Sequence, residues 1–251
     1  MRPISPKRLS NVPLRHLWTL LCLLALLACS NLSYAQAVGV VTHLSGVLTS
    51  KHADGTTVVL SVQSSIQQGD TLITEANTYT RVKFLDNAEI VLRPGSQLVV
   101  KRYLYDADKP EQDNVALSLV KGGLRAVTGL VGKRNHDAVS FDTPTATIGI
   151  RGTNFGALFC ENNCGGVPTP NGSTPQNGLY VDVSQGAVVL VNNAGQQILQ
   201  TGQFGFVANL NTPPMVIPPA QGVPVTMPLS ISKNAPASST QKSNIVDCVV
   251  Q

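Results

Sequence analysis

Thr145-Ala146-Thr147-Ile148-Gly149-Ile150-Arg151 is the stretch that decides the fold class. In an extended chain Ala146, Ile148 and Ile150 fall on one side. Thr145, Thr147, Gly149 and Arg151 fall on the other. Period two is what a half-buried β-strand requires. Pro144 fixes its own φ and biases Thr143 toward an extended shape, so a strand starts here. Tyr79-Thr80-Arg81-Val82-Lys83-Phe84 repeats the pattern, with Thr80, Val82 and Phe84 on the apolar side.

Working outward, turn residues separate short apolar runs from Val38 to about Ala208. Asp54-Gly55, Asp86-Asn87 and Asn193-Ala194-Gly195 each stand between two such runs, and Asx and Gly tolerate the positive φ of tight turns. No window carries a capped helical stripe. The expectation is an all-β fold of short antiparallel strands in a β-sandwich or β-solenoid-like arrangement. An internal echo favours stacked units: Gly46, Asp54-Gly55, Leu60 and Gly69-Asp70 are followed later by Gly186, Ala194-Gly195, Leu199 and Gly202-Gln203.

The chain has 251 residues, 43% hydrophobic and 13% charged, which is too apolar for a disordered polymer. Its formal charge of +4 comes from Arg2, Lys7, Arg8 and Arg15 near the start; the remaining 14 basic residues face 14 acidic ones. A neutral body argues against nucleic acid as a partner. Leu17 to Ala28 is an apolar run too short to span a bilayer, so residues 1–35 are expected to be a cleavable export signal ending at Ser33-Tyr34-Ala35. Leu26-Leu27-Ala28-Cys29 also resembles a lipobox, which makes Cys29 a candidate lipidation site and a lipoprotein or cell-surface location the alternative to a soluble periplasmic one. The expected division is a β domain over 36–210, with a loop insertion at 160–178, and a disordered Pro-rich tail over 211–251. That tail holds seven prolines from Thr212 onward.

In an oxidising compartment Cys160 and Cys164 are expected to form a disulfide, with free thiols or half a metal site as alternatives; Cys248 is left free or intermolecular. No catalytic constellation is found: no nucleophile elbow, zinc helix or phosphate loop. His43, His52 and His136 have no ligand spacing with one another. The expectation is therefore no enzyme, no cofactor and no metal. Lys121, Arg125, Lys133 and Arg134 form a basic cluster, read as a solvated face or as a contact for an anionic cell-wall polymer.

Thr143-Pro144-Thr145-Ala146-Thr147-Ile148-Gly149-Ile150-Arg151-Gly152-Thr153 resembles the signature of the FecR family of bacterial envelope domains. Gly69-Asp70-Thr71-Leu72-Ile73-Thr74, Val82 to Asp86, Ile90 to Ser96 and Gly186 to Gln203 are similar to that family's flanking strands, in order. The resemblance implies an all-β periplasmic domain that passes a signal between an outer-membrane receptor and a sigma factor. Family members of that kind carry a cytoplasmic segment and a membrane span ahead of the β domain, whereas a short export signal is expected ahead of Val38 here. The expectation is a stand-alone interaction or sensing module whose partner is another envelope protein, with outer-membrane or cell-wall association and the oligomeric state open. A structural, adhesin-like surface protein is the alternative. Arg151, Thr145, Thr147, Gly149 and Asp70 are the candidate interaction residues. Arg151 is either a partner contact or paired with a carboxylate such as Asp142 or Asp70, and Gly69-Asp70 is first a turn.

Overall fold

Alternating residues form strands in this chain because each strand buries one face: Thr80, Val82 and Phe84 are inside, and so are Ile148 and Ile150. The computed structural model describes residues 36–162, 164, 167, 169–228 and 231. Among them are β1 (Ala37–Ser45), β2 (Leu48–Lys51), β3 (Thr57–Leu60), β4 (Ser65–Gln67), β5 (Thr71–Thr74), β6 (Tyr79–Phe84), β7 (Glu89–Leu92) and β8 (Gln97–Leu104). There follow β9 (Asn114–Val127), β10 (Val139–Asp142), β11 (Thr147–Cys160), β12 (Gly178–Asn192), β13 (Gly195–Gln200), β14 (Phe204–Val207) and β15 (Met215–Ile217). A five-residue helix, α1 (Leu130–Arg134), sits between β9 and β10. Of the described residues strands take up 54% and helices 6%, so the fold is all-β. Among the described residues no helix is long and apolar enough to cross a membrane, which says nothing of spans built from strands.

Pairing arranges the strands in two layers. One runs β3-β2-β5-β8-β9-β10-β11-β12-β13, the other β4-β1-β6-β7-β9-β11-β12-β14-β15. The strands β9, β11 and β12 belong to both, because each is long and bends. The first half of β9 pairs with β8 and β10, its second half with β7 and β11. Near their bends stand Gly122, Gly152 and Gly186, at φ 76, 61 and 77°. That left-handed region carries no penalty for glycine. Two details differ from the sequence reading: these three strands have 14, 14 and 15 residues, and β9 and β10 are parallel. The glycines interrupt the apolar pattern and so hide the continuity of the chain through each bend. Leu48, Leu72, Leu98 and Leu117 from one layer share a single core with Val41, Ile66, Val82 and Ile90 from the other.

The sequence echo corresponds to a real structural repeat. Chain segments β1-β2-β3-β4 and β12-β13-β14 each cross from one layer to the other, turn, and cross back. Gly46 (φ 99°) and Gly186 lie at the inward crossings, and Gly55 and Gly195 in the turns. The outward crossings superpose in their hydrogen bonds: Gln63 N donates to Val41 O (2.8 Å) and Gly202 N to Val183 O (2.8 Å), while Val41 N donates to Ser64 O (3.0 Å) and Val183 N to Gln203 O (3.2 Å). The partner of Gly202 is thus Gln63, at φ 72°, and not Gly69. The two bent hairpins close the two ends of the fold.

The start of the Pro-rich segment is not free. β15 pairs with β14, and Val223 and Val225 are fully buried against Leu158, Cys160 and Tyr180. This strap explains why residues 153–160 and 178–183 are buried without alternation: one side faces the main core and the other faces the strap. Arg125 and Asp182 hold it. Arg125 Nε donates to Val225 O (3.0 Å), Val225 N donates to Asp182 Oδ1 (2.9 Å), and Arg125 Nη2 meets Asp182 Oδ2 at 2.6 Å. The flexible tail expected from residue 211 is corrected to this extent. The export signal, Cys29, Cys248 and the tail after Ile231 lie outside the described residues.

Candidate recognition face

The site is built on the turn from β10 to β11. Thr143 closes it: its N–H donates to Ala146 O (2.9 Å), its hydroxyl donates to the same carbonyl (2.7 Å) and accepts from Ala146 N (3.1 Å). Thr145 is buried in this turn, and its hydroxyl has no hydrogen-bond partner among the described residues. From Thr147 onward alternation sets in. Register across the sheet brings outward side chains into rows: Asp142, Thr147, Val191 and Gln196; then Ser140, Gly149, Val189 and Ile198; then Arg151, Ala187 and Gln200.

Beyond Ser140 the middle row is apolar, with Gly149, Val189 and Ile198; Ile198 is 43% exposed, and Val191 in the row before it is 40% exposed. Gly149 is needed for close approach, since a Cβ there would lie 2.8 Å from Val189 Cγ1. Thr147 donates to Asp142 Oδ1 (2.9 Å), and Lys101 Nζ reaches Asp142 Oδ2 (2.9 Å). Arg151 pairs with no carboxylate among the described residues: Asp142 is taken by Thr147 and Lys101, and Asp70 by other groups. The structural pairing of Arg151 considered from the sequence is therefore overturned. An exposed cation stands in the row beside this apolar strip, and the strip ends at β13, which among the described residues pairs with β12 alone.

Of the five candidate residues the structure brings together Thr147, Gly149 and Arg151. Asp70 is elsewhere, buried in the β4–β5 turn. It accepts from Gln67 N (2.9 Å), and His52 Nδ1 lies 2.6 Å from its Oδ1. This is a brace and not a presented ligand contact. Cys160 and Cys164 form a disulfide. The basic cluster is dispersed: Arg125 is in the strap pair, and Arg134 pairs with Asp113 (2.6 Å) and covers the Tyr105 ring. Lys121, Lys133 and Arg134 are exposed, as a solvated face requires, but the four cations do not form a single patch.

Sequence reading missed the hub beneath the face. Asp86 is buried, accepts from Ala88 N (3.0 Å) and Val131 N (3.2 Å), and receives the Tyr103 hydroxyl (2.5 Å). Burial first, and then the Asp86 charge, push the Tyr103 phenol above its ordinary range. Tyr103 in turn stacks on Phe84. The signal was the Asx turn at Asp86-Asn87, whose carboxylate serves the start of α1 as well as its own loop.

Residues 70–189 match the family model described as FecR protein. The chain carries a FecR domain. The matched span begins at Asp70, contains the hub and the whole Thr143–Thr153 signature, and ends at Val189 on the recognition face. Strands on both sides of the span complete the two layers around the FecR domain. No curated protein matches the chain. Two crystal structures of a candidate anti-sigma factor from Parabacteroides distasonis are similar at 14% identity, with TM-scores of 0.44 and 0.42. Each similarity covers 59% of this chain and 58% of that protein, less than two thirds of its length. A cell surface anchoring domain is similar at 27% identity over 25% of this chain and 82% of its own, with a TM-score of 0.24.

Proposed function

We propose that this FecR domain is a non-enzymatic recognition module of the bacterial envelope, acting in sensing or signalling. Its partner is another envelope protein that contributes an extended strand to the open edge of β13 and a carboxylate to Arg151. What carries this reading is Arg151: a guanidinium of the signature, exposed and unpaired among the described residues, beside the apolar row of Gly149, Val189 and Ile198. Strand addition supplies backbone hydrogen bonds without demanding a partner sequence, while the charge and the apolar row select among partners.

The test is a photoreactive side chain placed at Gln200 in the producing cell, with the same group at exposed Val59 on the far edge β3 as comparison. The expected outcome is a discrete adduct with one envelope protein from Gln200, lost on Arg151→Glu, and none from Val59. Equal adducts from both positions, or an adduct indifferent to Arg151→Glu, would rule the reading out. Arg151→Ala by itself is expected to shift stability by no more than about 0.5 kcal/mol, because the side chain is exposed and unpaired.

A further inference from the structure

A second feature lies away from the recognition face. A groove of about 400 Å³ runs beside the turn Arg93-Pro94-Gly95-Ser96, with Tyr79, Arg93, Lys121, Leu158, Phe159 and Glu161 in its lining. Small-molecule sites commonly measure roughly 300–1,000 Å³. The turn is held rigidly from below. Thr74 and Ser96 are buried. The Thr74 hydroxyl donates to Arg93 O (2.6 Å) and accepts from Ser96 N (2.9 Å). The Ser96 hydroxyl donates to Gly123 O (2.9 Å) and accepts from Gly123 N (2.9 Å), and Arg93 N also donates to Gly123 O (2.9 Å). The backbone that presents Arg93 is thus fixed before any ligand arrives.

The guanidinium itself is left over. Arg93 Nη1 is buried and has no hydrogen-bond partner among the described residues. Burial also pulls Arg93 below its ordinary range. Buried cations are normally paired, because desolvation disfavours the charge. Here the frame is complete, and among the described residues no counter-ion belongs to it.

We propose that the Arg93 groove binds an organic monocarboxylate. A guanidinium fork matches a carboxylate through two parallel N–H···O bonds. Lys121, exposed beside the bend of β9, adds a second positive charge. Tyr79, Leu158 and Phe159 offer apolar surface to the body of the ligand. Glu161 in the same lining opposes a second negative charge, which favours a monoanion over a phosphate dianion. The site shares none of its residues with the recognition face and stands or falls without it.

The experiment titrates the purified protein with 4-phenylbutyrate, following backbone amide and arginine Nε–H signals by NMR. Saturable shifts are expected at Arg93 and Lys121, with 4-phenylbutanol and inorganic phosphate each binding at least about tenfold more weakly. Arg93→Met, which keeps the packed stem, is expected to weaken 4-phenylbutyrate by about tenfold or more. Lys121→Gln is expected to weaken it by about two- to fivefold. Equal binding of the alcohol, or an undiminished affinity in Arg93→Met, would overturn the proposal. Phosphate binding as tightly as 4-phenylbutyrate would overturn the assignment to a monocarboxylate. The comparison of acid, alcohol and phosphate is made on the unmodified protein, so it holds whatever the variants do to folding.

Discussion

Thr143 and Thr145 stand two residues apart in one turn and have opposite surroundings. The Thr143 hydroxyl makes three hydrogen bonds, to Ala146 O and from the N–H groups of Thr145 and Ala146. The Thr145 hydroxyl is buried with no partner among the described residues. Thr143→Val is therefore expected to lower stability by about 1–2 kcal/mol, and Thr145→Val to leave it unchanged or raise it by up to about 1 kcal/mol. Urea unfolding of the two variants checks the order, and the reverse order would contradict it. Tyr103 gives a pH dependence with a definite sign. Its folded pKa is raised, so the folded state holds the phenolic proton more tightly than the unfolded chain does. That stabilisation is fully present below the unfolded value of about 10 and is lost as pH rises above it, at up to about 1.4 kcal/mol per pH unit. Unfolding free energies measured at rising alkaline pH should fall in the parent and fall less steeply in Tyr103→Phe. Equal slopes would show that another group is responsible.

At the scale of elements, the bends of β11 and β12 distinguish two kinds of glycine requirement. Gly152 needs its φ of 61° but has open space around it, whereas at Gly186 an added Cβ would also strike the Gly152 carbonyl. Gly152→Ala is expected to cost about 1–2 kcal/mol from backbone conformation alone, and Gly186→Ala distinctly more. A smaller loss at Gly186 would refute this view of the bend. The strap depends on an ion pair of which both side chains are largely buried, at 13% and 9% exposure. Arg125→Met leaves Asp182 without its cation and is expected to cost about 3–5 kcal/mol. It should also open residues 218–228 to limited proteolysis; a digestion pattern like the parent's would contradict the clasp. These elements show where the sequence was legible. Residues 79–84 and 147–151 announce themselves, because each faces water on one side. Residues 154–160 and 178–183 do not, because a Pro-interrupted segment much later in the chain, with Ile217, Val223 and Val225, covers their outer side. Met215, Ile217, Val223 and Val225 were the visible hint: apolar residues that a solvated tail has no use for.

At the scale of the whole molecule, two layers are knit by three bent strands and closed at each end by the same bent hairpin. The repeat could be read from glycine spacing, but its true register could not, because Gln63 adopts a conformation that glycine takes at position 202. The candidate site was half legible for a similar reason. The period of β11 put Thr147, Gly149 and Arg151 on one face, yet only the pairing with β12 and β13 adds Val189 and Ile198, and only the folded chain shows that Arg151 has no carboxylate partner among the described residues. Arg93 was invisible as a candidate, since nothing local signals that Nη1 of a half-buried arginine will lack an acceptor among the described residues. The face that ends at β13 is central to the proposed role. Amide hydrogen exchange, with the partner recovered through the Gln200 adduct, tests it directly: the account predicts new protection in Gly195–Gln200 and in the adjoining halves of β11 and β12, with Thr57–Leu60 unchanged. Protection confined to Thr57–Leu60, or none at either edge, would contradict it.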